Sequence, residues 1–142
     1  MGNSLVDCVV VPVADETDAR TTCLALAPYL DADSRVVALH VIEKAGGAPD
    51  KASVEQRQEG AADIFAVVKD TLTTGTVETE LRYGTDVAET IFDTASDVDA
   101  TAIAFSPRGG SRWVRLLSGD VALSLVTDTD RPVVVLPDVT DK

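Results

Sequence analysis

The chain has 142 residues, 45% of them hydrophobic, with a formal net charge of -12 and a pI near 4.3. That length suits one domain over residues 1–142, with a core that needs no disulfide or metal, since a domain near 150 residues buries roughly 68–70% of its unfolded surface. The charge excludes a nucleic-acid partner, which clustered Lys and Arg would have to hold, and no 18-residue apolar run offers a membrane span.

Residues 1–5 lack a basic segment followed by an apolar one, so no signal peptide and a cytoplasmic location are expected. An apolar run over 6–13 reads as the first strand, and Ala14-Asp15-Glu16-Thr17 after it carries helix-capping chemistry. A helix is expected from about Thr17 to Leu30. Residues 35–42 (RVVALHVI) form a second continuous apolar strand, of the kind buried on both faces of a parallel sheet. Residues 43–52 contain Gly46, Gly47 and Pro49 and read as a loop. A long helix follows over 53–72, with Ala61, Ile64, Phe65, Val68 and Leu72 at helical spacing. Residues 77–83 alternate as a strand punctuated by Gly84, and 86–96 form a helix carrying Val87, Ile91, Phe92 and Ala95. Residues 101–105 make a fourth strand, 106–118 a loop, 119–127 a helix and 132–136 a fifth strand.

The order is βαβαβαβαβ, and crossovers of this length demand a parallel, right-handed arrangement. The fold class is therefore α/β, a doubly wound five-stranded parallel sheet with helices on both faces. In such sheets ligands bind outside the carboxyl ends of the strands, where the strand order reverses. Residues 12–16, 40–43 and the segment from Phe105 onward are the candidate ends. The last, FSPRGGSRWVRLLSGDVALSLV, combines paired glycines with Arg108, Arg112 and Arg115, and Gly119 opens a helix. Glycines and a helix N-terminus present free N–H groups to an anion. The alternative is a solvated loop whose arginines pair with nearby carboxylates.

At this point the chain resembles the universal stress proteins. That family carries, after its fourth strand, a glycine, two residues, a second glycine, nine residues and a third glycine followed by Ser or Thr. Gly109 and Gly119 match the second and third glycines at that spacing. The segments VVVPV at 9–13, ALHVIE at 38–43, GTDVAETI at 84–91 and RPVVVLP at 131–137 resemble its other landmarks in the right order. The resemblance covers essentially the whole chain and implies strand order 3-2-1-4-5 and commonly a dimer. The nucleotide-binding branch holds ATP with Mg, which by the match would contact Pro12, Val13, Ala14, Val41, Ser106, Arg108, Gly109, Gly119, Asp120 and Val121. Adenine would lie near Val13 and the backbone of Val41, and the phosphates on Gly109, Gly119 and the residues after it. Three positions depart from the pattern. Ser106 replaces the first glycine, Ala14 stands where the family usually has Asp, and Asp120 replaces the Ser or Thr that would meet a phosphate.

Other chemistries find less support. No GxxxxGK[ST] or GxGxxG occurs, and the ends of the third and fifth strands lack the Asp and Lys of a response regulator. His40, the sole histidine, lies inside an apolar strand and reads as structural. Ser106 and Ser111 have no evident base, so nucleophilic catalysis is not expected. Asp15 with Asp120 is the one carboxylate pair the fold brings within reach of a shared metal. Trp113 reads as a packing residue of the loop, with base stacking as the alternative. Cys8 and Cys23 lack metal or redox spacing and read as small buried hydrophobes. Sparse Lys, with Asp well ahead of Glu and abundant Thr, looks like proteins of salt-accumulating halophiles, an acidic mesophilic protein being the alternative. The expectation is a non-enzymatic, dimeric stress-response module with weak or no nucleotide binding, paired through Val133, Val134, Val135 and Leu136. Its alternatives are an ATP-binding switch using Gly109 and Gly119, or a small-molecule enzyme on the same scaffold.

Overall fold

A computed structural model describes residues 4–43, 51–106 and 126–137, with backbone alone at 43 and 51–58. The apolar run near the N-terminus becomes β1 (Cys8–Pro12), buried at every position. It is shorter than the expected 6–13, because residues 4–7 form a turn closed by the Asp7 N–H on the Ser4 carbonyl at 3.1 Å. Helix α1 (Glu16–Leu26) starts where Asp15, in extended backbone, accepts from the Asp18 N–H at 2.7 Å. The expected helix to Leu30 is corrected here: the α-helix ends at Leu26 and a 3-10 turn, Ala27–Tyr29, continues it. Pro28 explains the break, since it has no N–H for the α ladder.

Strands β2 (Arg35–Glu43), β3 (Thr76–Gly84), β4 (Ala102–Phe105) and β5 (Val133–Val135) alternate with helices α2 (Lys51–Thr71) and α3 (Val87–Asp97). The sheet is parallel, in the order β3-β2-β1-β4-β5. Residues 126 and 127 are helical; the rest of the helix expected over 119–127 lies outside the described residues.

Side chains alternate across the sheet, and the two faces make two cores. Val10, Val37, Leu39 and Ile103 pack with Val87, Ile91 and Ala95 of α3. Val9, Val11, Val36 and Ala104 pack on the other face with Ala19 and Cys23 of α1 and Ile64 and Val68 of α2. The turn into β3 depends on Gly75. Its φ is +84°, and a Cβ there would stand 2.6 Å from the Ser34 carbonyl oxygen, so only glycine fits.

Candidate functional site at the carboxyl edge

The strand order reverses beside β1: β2 and β3 lie on one side of it, β4 and β5 on the other. In doubly wound sheets ligands bind outside the carboxyl ends of the strands that flank such a reversal. Pro12 ends β1 against Leu39, and Val10 pairs with Ile103. Continuing both registers sets Val13 level with His40 on one side and Ser106 on the other, and Ala14 level with Val41. The structure thus brings Pro12, Val13, Ala14, Val41 and Ser106 to one edge of the sheet. Arg108, Gly109, Gly119, Asp120 and Val121 lie outside the described residues, as do Arg112, Arg115, Ser111 and Trp113.

The loop after β1 is held from three directions. The Val13 N–H donates to the Leu39 carbonyl at 2.8 Å, extending the β1–β2 ladder one residue beyond the strand. The Val13 carbonyl meets His40 Nδ1 at 2.8 Å, so that nitrogen carries the proton in this contact. The Ala14 N–H donates to Asp18 Oδ2 at 2.8 Å. Asp18 is the residue that sequence reasoning missed. It is 2% exposed, and its other oxygen accepts from Thr22 Oγ1 at 3.2 Å. Burial pushes its carboxyl up to about 6, the Asp15 charge adds to the rise, and the bonds from Ala14 and Thr22 oppose it. The signal was the Asp-x-x-Asp spacing of 15 and 18, a relative of the capping box in which the second acid reaches back past the cap. Asp15 is occupied as the helix cap.

Ser106 follows β4 directly and is 2% exposed. Its Oγ is the one buried side-chain polar atom without a hydrogen-bond partner among the described residues. Cys23 lies near Asp18; burial first, and then that carboxylate, push its thiol up to about 12. Cys8 sits at the opposite edge of the sheet, where burial raises its thiol against the opposing pull of Arg35. Both are buried thiols at neutral pH, not nucleophiles. No three His, Cys, Asp or Glu side chains group as a metal site among the described residues, and no described helix is long and apolar enough to cross a membrane.

A parallel sheet in this order, reversing beside β1, defines a doubly wound α/β protein of the kind that places ligands at its carboxyl edge. The chain belongs to the universal stress protein family, whose model matches residues 7–137. Among solved structures it is similar to a universal stress protein of Archaeoglobus fulgidus in complex with dAMP. That pair is 21% identical over 91% of this chain and 96% of the other, with a TM-score of 0.61. A universal stress protein of Lactobacillus plantarum is 22% identical over 95% and 100%, with a TM-score of 0.67. A universal stress protein in complex with cAMP is 14% identical over 95% and 99%, with a TM-score of 0.65. These likenesses establish the shared fold. No curated protein matches the chain significantly.

Proposed function

We propose that the protein is a non-catalytic, dimeric stress-response module whose carboxyl-edge crevice takes an adenine nucleotide weakly. The observation that carries the reading is the loop of Val13 and Ala14, pinned by Leu39, His40 and Asp18, beside the end of β4 where the strand order reverses. A base lying along that edge would meet backbone already held in place, which lowers the entropy cost of binding. Family members solved with dAMP and cAMP support the ligand class.

Two sequence features argue for weakness. Ala14 supplies no side-chain acceptor, and Asp120 stands where the family has a hydroxyl. A carboxylate about 4 Å from a phosphate costs about 4 kcal/mol at an effective dielectric near 20, roughly a thousandfold in affinity. Arg108 and its neighbours, or a bridging Mg²⁺, would offset part of that. Catalysis is disfavoured because His40 is committed to the Val13 carbonyl and the Ser106 hydroxyl contacts no base.

Dimer formation through Val133, Val134, Val135 and Leu136 is supported by the state of β5. It pairs with β4, lies at the sheet edge, and its Val135 is 53% exposed. A hollow of 320 Å³ lined by Leu5, Leu26, Tyr29, Ala104, Val134 and Leu136 adjoins it. A second copy covering the edge and the hollow removes both liabilities. Titration of the full chain with ATP and Mg²⁺ in molar salt tests the nucleotide reading. The expected dissociation constant is weaker than micromolar, and Asp120→Ser should tighten it at least tenfold. Micromolar affinity in the unmodified chain, or no saturable binding at all, overturns it.

A further inference from the structure

Each peptide unit carries one acceptor and one donor, and the unit joining Val13 to Ala14 has both held by side chains. Its carbonyl meets His40 Nδ1 at 2.8 Å from β2, and its N–H donates to Asp18 Oδ2 at 2.8 Å from α1. A histidine and an aspartate thus grip one peptide plane from two elements, just past the end of β1 where the strand order reverses. The two ends of the grip answer differently to pH. Nδ1 carries a proton both in the neutral tautomer that makes this contact and in the imidazolium, so the carbonyl end stays held. The amide end depends on Asp18. Ionised, its carboxylate makes a charge-assisted bond roughly twice as strong as a neutral one; protonated, it offers only a neutral oxygen.

The surroundings of Asp18 make its charge costly to keep. It is 2% exposed, its second oxygen is taken by Thr22, and no cation pairs with it among the described residues. On its own helix it faces Asp15, a like charge already used as the cap, and Cys23, whose thiol stays protonated. His40 of β2 lies across the shared peptide unit, and α2 meets α1 through the apolar Ile64 and Val68. Burial above all carries the Asp18 value up to about 6, so a change from pH 7.5 to pH 5 neutralises most of it. We propose that Asp18 is a pH-operated latch on the nucleotide site, fixing the Val13–Ala14 peptide unit for a bound base when ionised and loosening it when protonated. The inference rests on the nucleotide reading above and adds its regulation. Acidification then strengthens the fold, by removing a buried charge, while it weakens the hold on the ligand.

Adenosine is the probe, because nothing on it titrates between pH 5 and pH 8, whereas the phosphate of AMP does. Calorimetric titration in molar salt should find it bound about fivefold more weakly at pH 5 than at pH 7.5, the weight of a charge-assisted bond over a neutral one. Asp18→Asn keeps an oxygen for the Ala14 N–H at every pH, so its adenosine affinity should be the same at both. Should adenosine alone bind too weakly to measure, AMP replaces it, and the ratio between the two chains cancels the titration of the phosphate. The second measurement uses the unmodified chain without ligand and needs no variant to fold. In its NMR spectra the Ala14 amide proton should move with the Asp18 carboxyl carbon, both with a midpoint near pH 6. A flat Ala14 signal, or an Asp18 carboxyl titrating near the ordinary 3.8, overturns the latch whatever the nucleotide does. Equal pH dependence of affinity in the two chains overturns it too and leaves the nucleotide reading standing, since another group such as His40 then sets the profile. Failure of adenosine, AMP and ATP alike to bind at pH 7.5 overturns the nucleotide reading and the latch together.

Discussion

Asp18 is a carboxylate on a buried helix face, with hydrogen bonds from Ala14 and Thr22 and no cation paired with it among the described residues. Its folded-state value, about 6, lies above the ordinary 3.8. Between those values the folded chain holds a proton that the unfolded chain has released. Stability therefore rises as pH falls from about 6 to about 4, and is lost as pH rises through the same window. The ionised buried group costs the fold up to about 3 kcal/mol at neutral pH. Asp18→Asn keeps an acceptor for the Ala14 N–H and removes the charge. It should be about 1–2 kcal/mol more stable than the original at pH 7.5, with the gap closing toward pH 4. Urea midpoints across that range check it. A variant less stable at pH 7.5 would mean that the charged hydrogen bonds outweigh the desolvation.

At the scale of elements, turns and helix interiors respond to glycine in opposite ways. Gly75 sits at φ +84° against the Ser34 carbonyl, whereas Gly60 lies inside α2 with nothing within 4 Å of an added Cβ. Gly75→Ala should cost about 2 kcal/mol or more, from the left-handed backbone and the clash together. Gly60→Ala should gain about 0.5–1 kcal/mol from helix propensity. Chemical denaturation of the two variants side by side is the measurement, and the same sign for both would refute the reading. The two sheet edges also differ. On β3, Glu78 receives a two-point contact from Arg35 at 2.6 and 2.9 Å, and Arg82 bridges Glu80 and Asp97. These charges discourage further strand pairing more than they stabilise, since half-exposed pairs contribute at most about 1 kcal/mol. Strand β5 is three valines and carries no charge of its own.

The whole molecule combines that apolar edge strand with a net charge of -12. Repulsion between two such chains opposes the proposed dimer in dilute buffer, and molar salt shortens the Debye length to roughly 3 Å. Sedimentation should show the dimer strengthening as salt rises, with Val134→Lys monomeric under the same conditions. A clean monomer at micromolar concentration in molar salt removes the proposal. Folding should follow the same trend, the urea midpoint rising with salt. Full stability in dilute buffer would argue against the halophile reading of the composition.

Local patterning by itself foretold the five strands, the first three helices and their order, with boundaries a few residues off. Runs such as RVVALHVI cannot be solvated on either face, and crossovers long enough to hold a helix force parallel pairing. The strand order and the glycine loop came through resemblance, and the order stands as the structure has it. Tertiary structure alone decided the state of individual polar groups. Asp15 could have faced a ligand or capped a helix, and α1 begins so that it caps. Asp18 reads as one more acid in an acidic sequence until Thr22, Cys23 and the sheet close over it. Ser106 reads as one of eight serines until the end of β4 buries it and leaves its hydroxyl unpaired. Periodicity depends on neighbours three or four residues away, whereas burial and hydrogen-bond satisfaction depend on chain segments brought from far along the sequence.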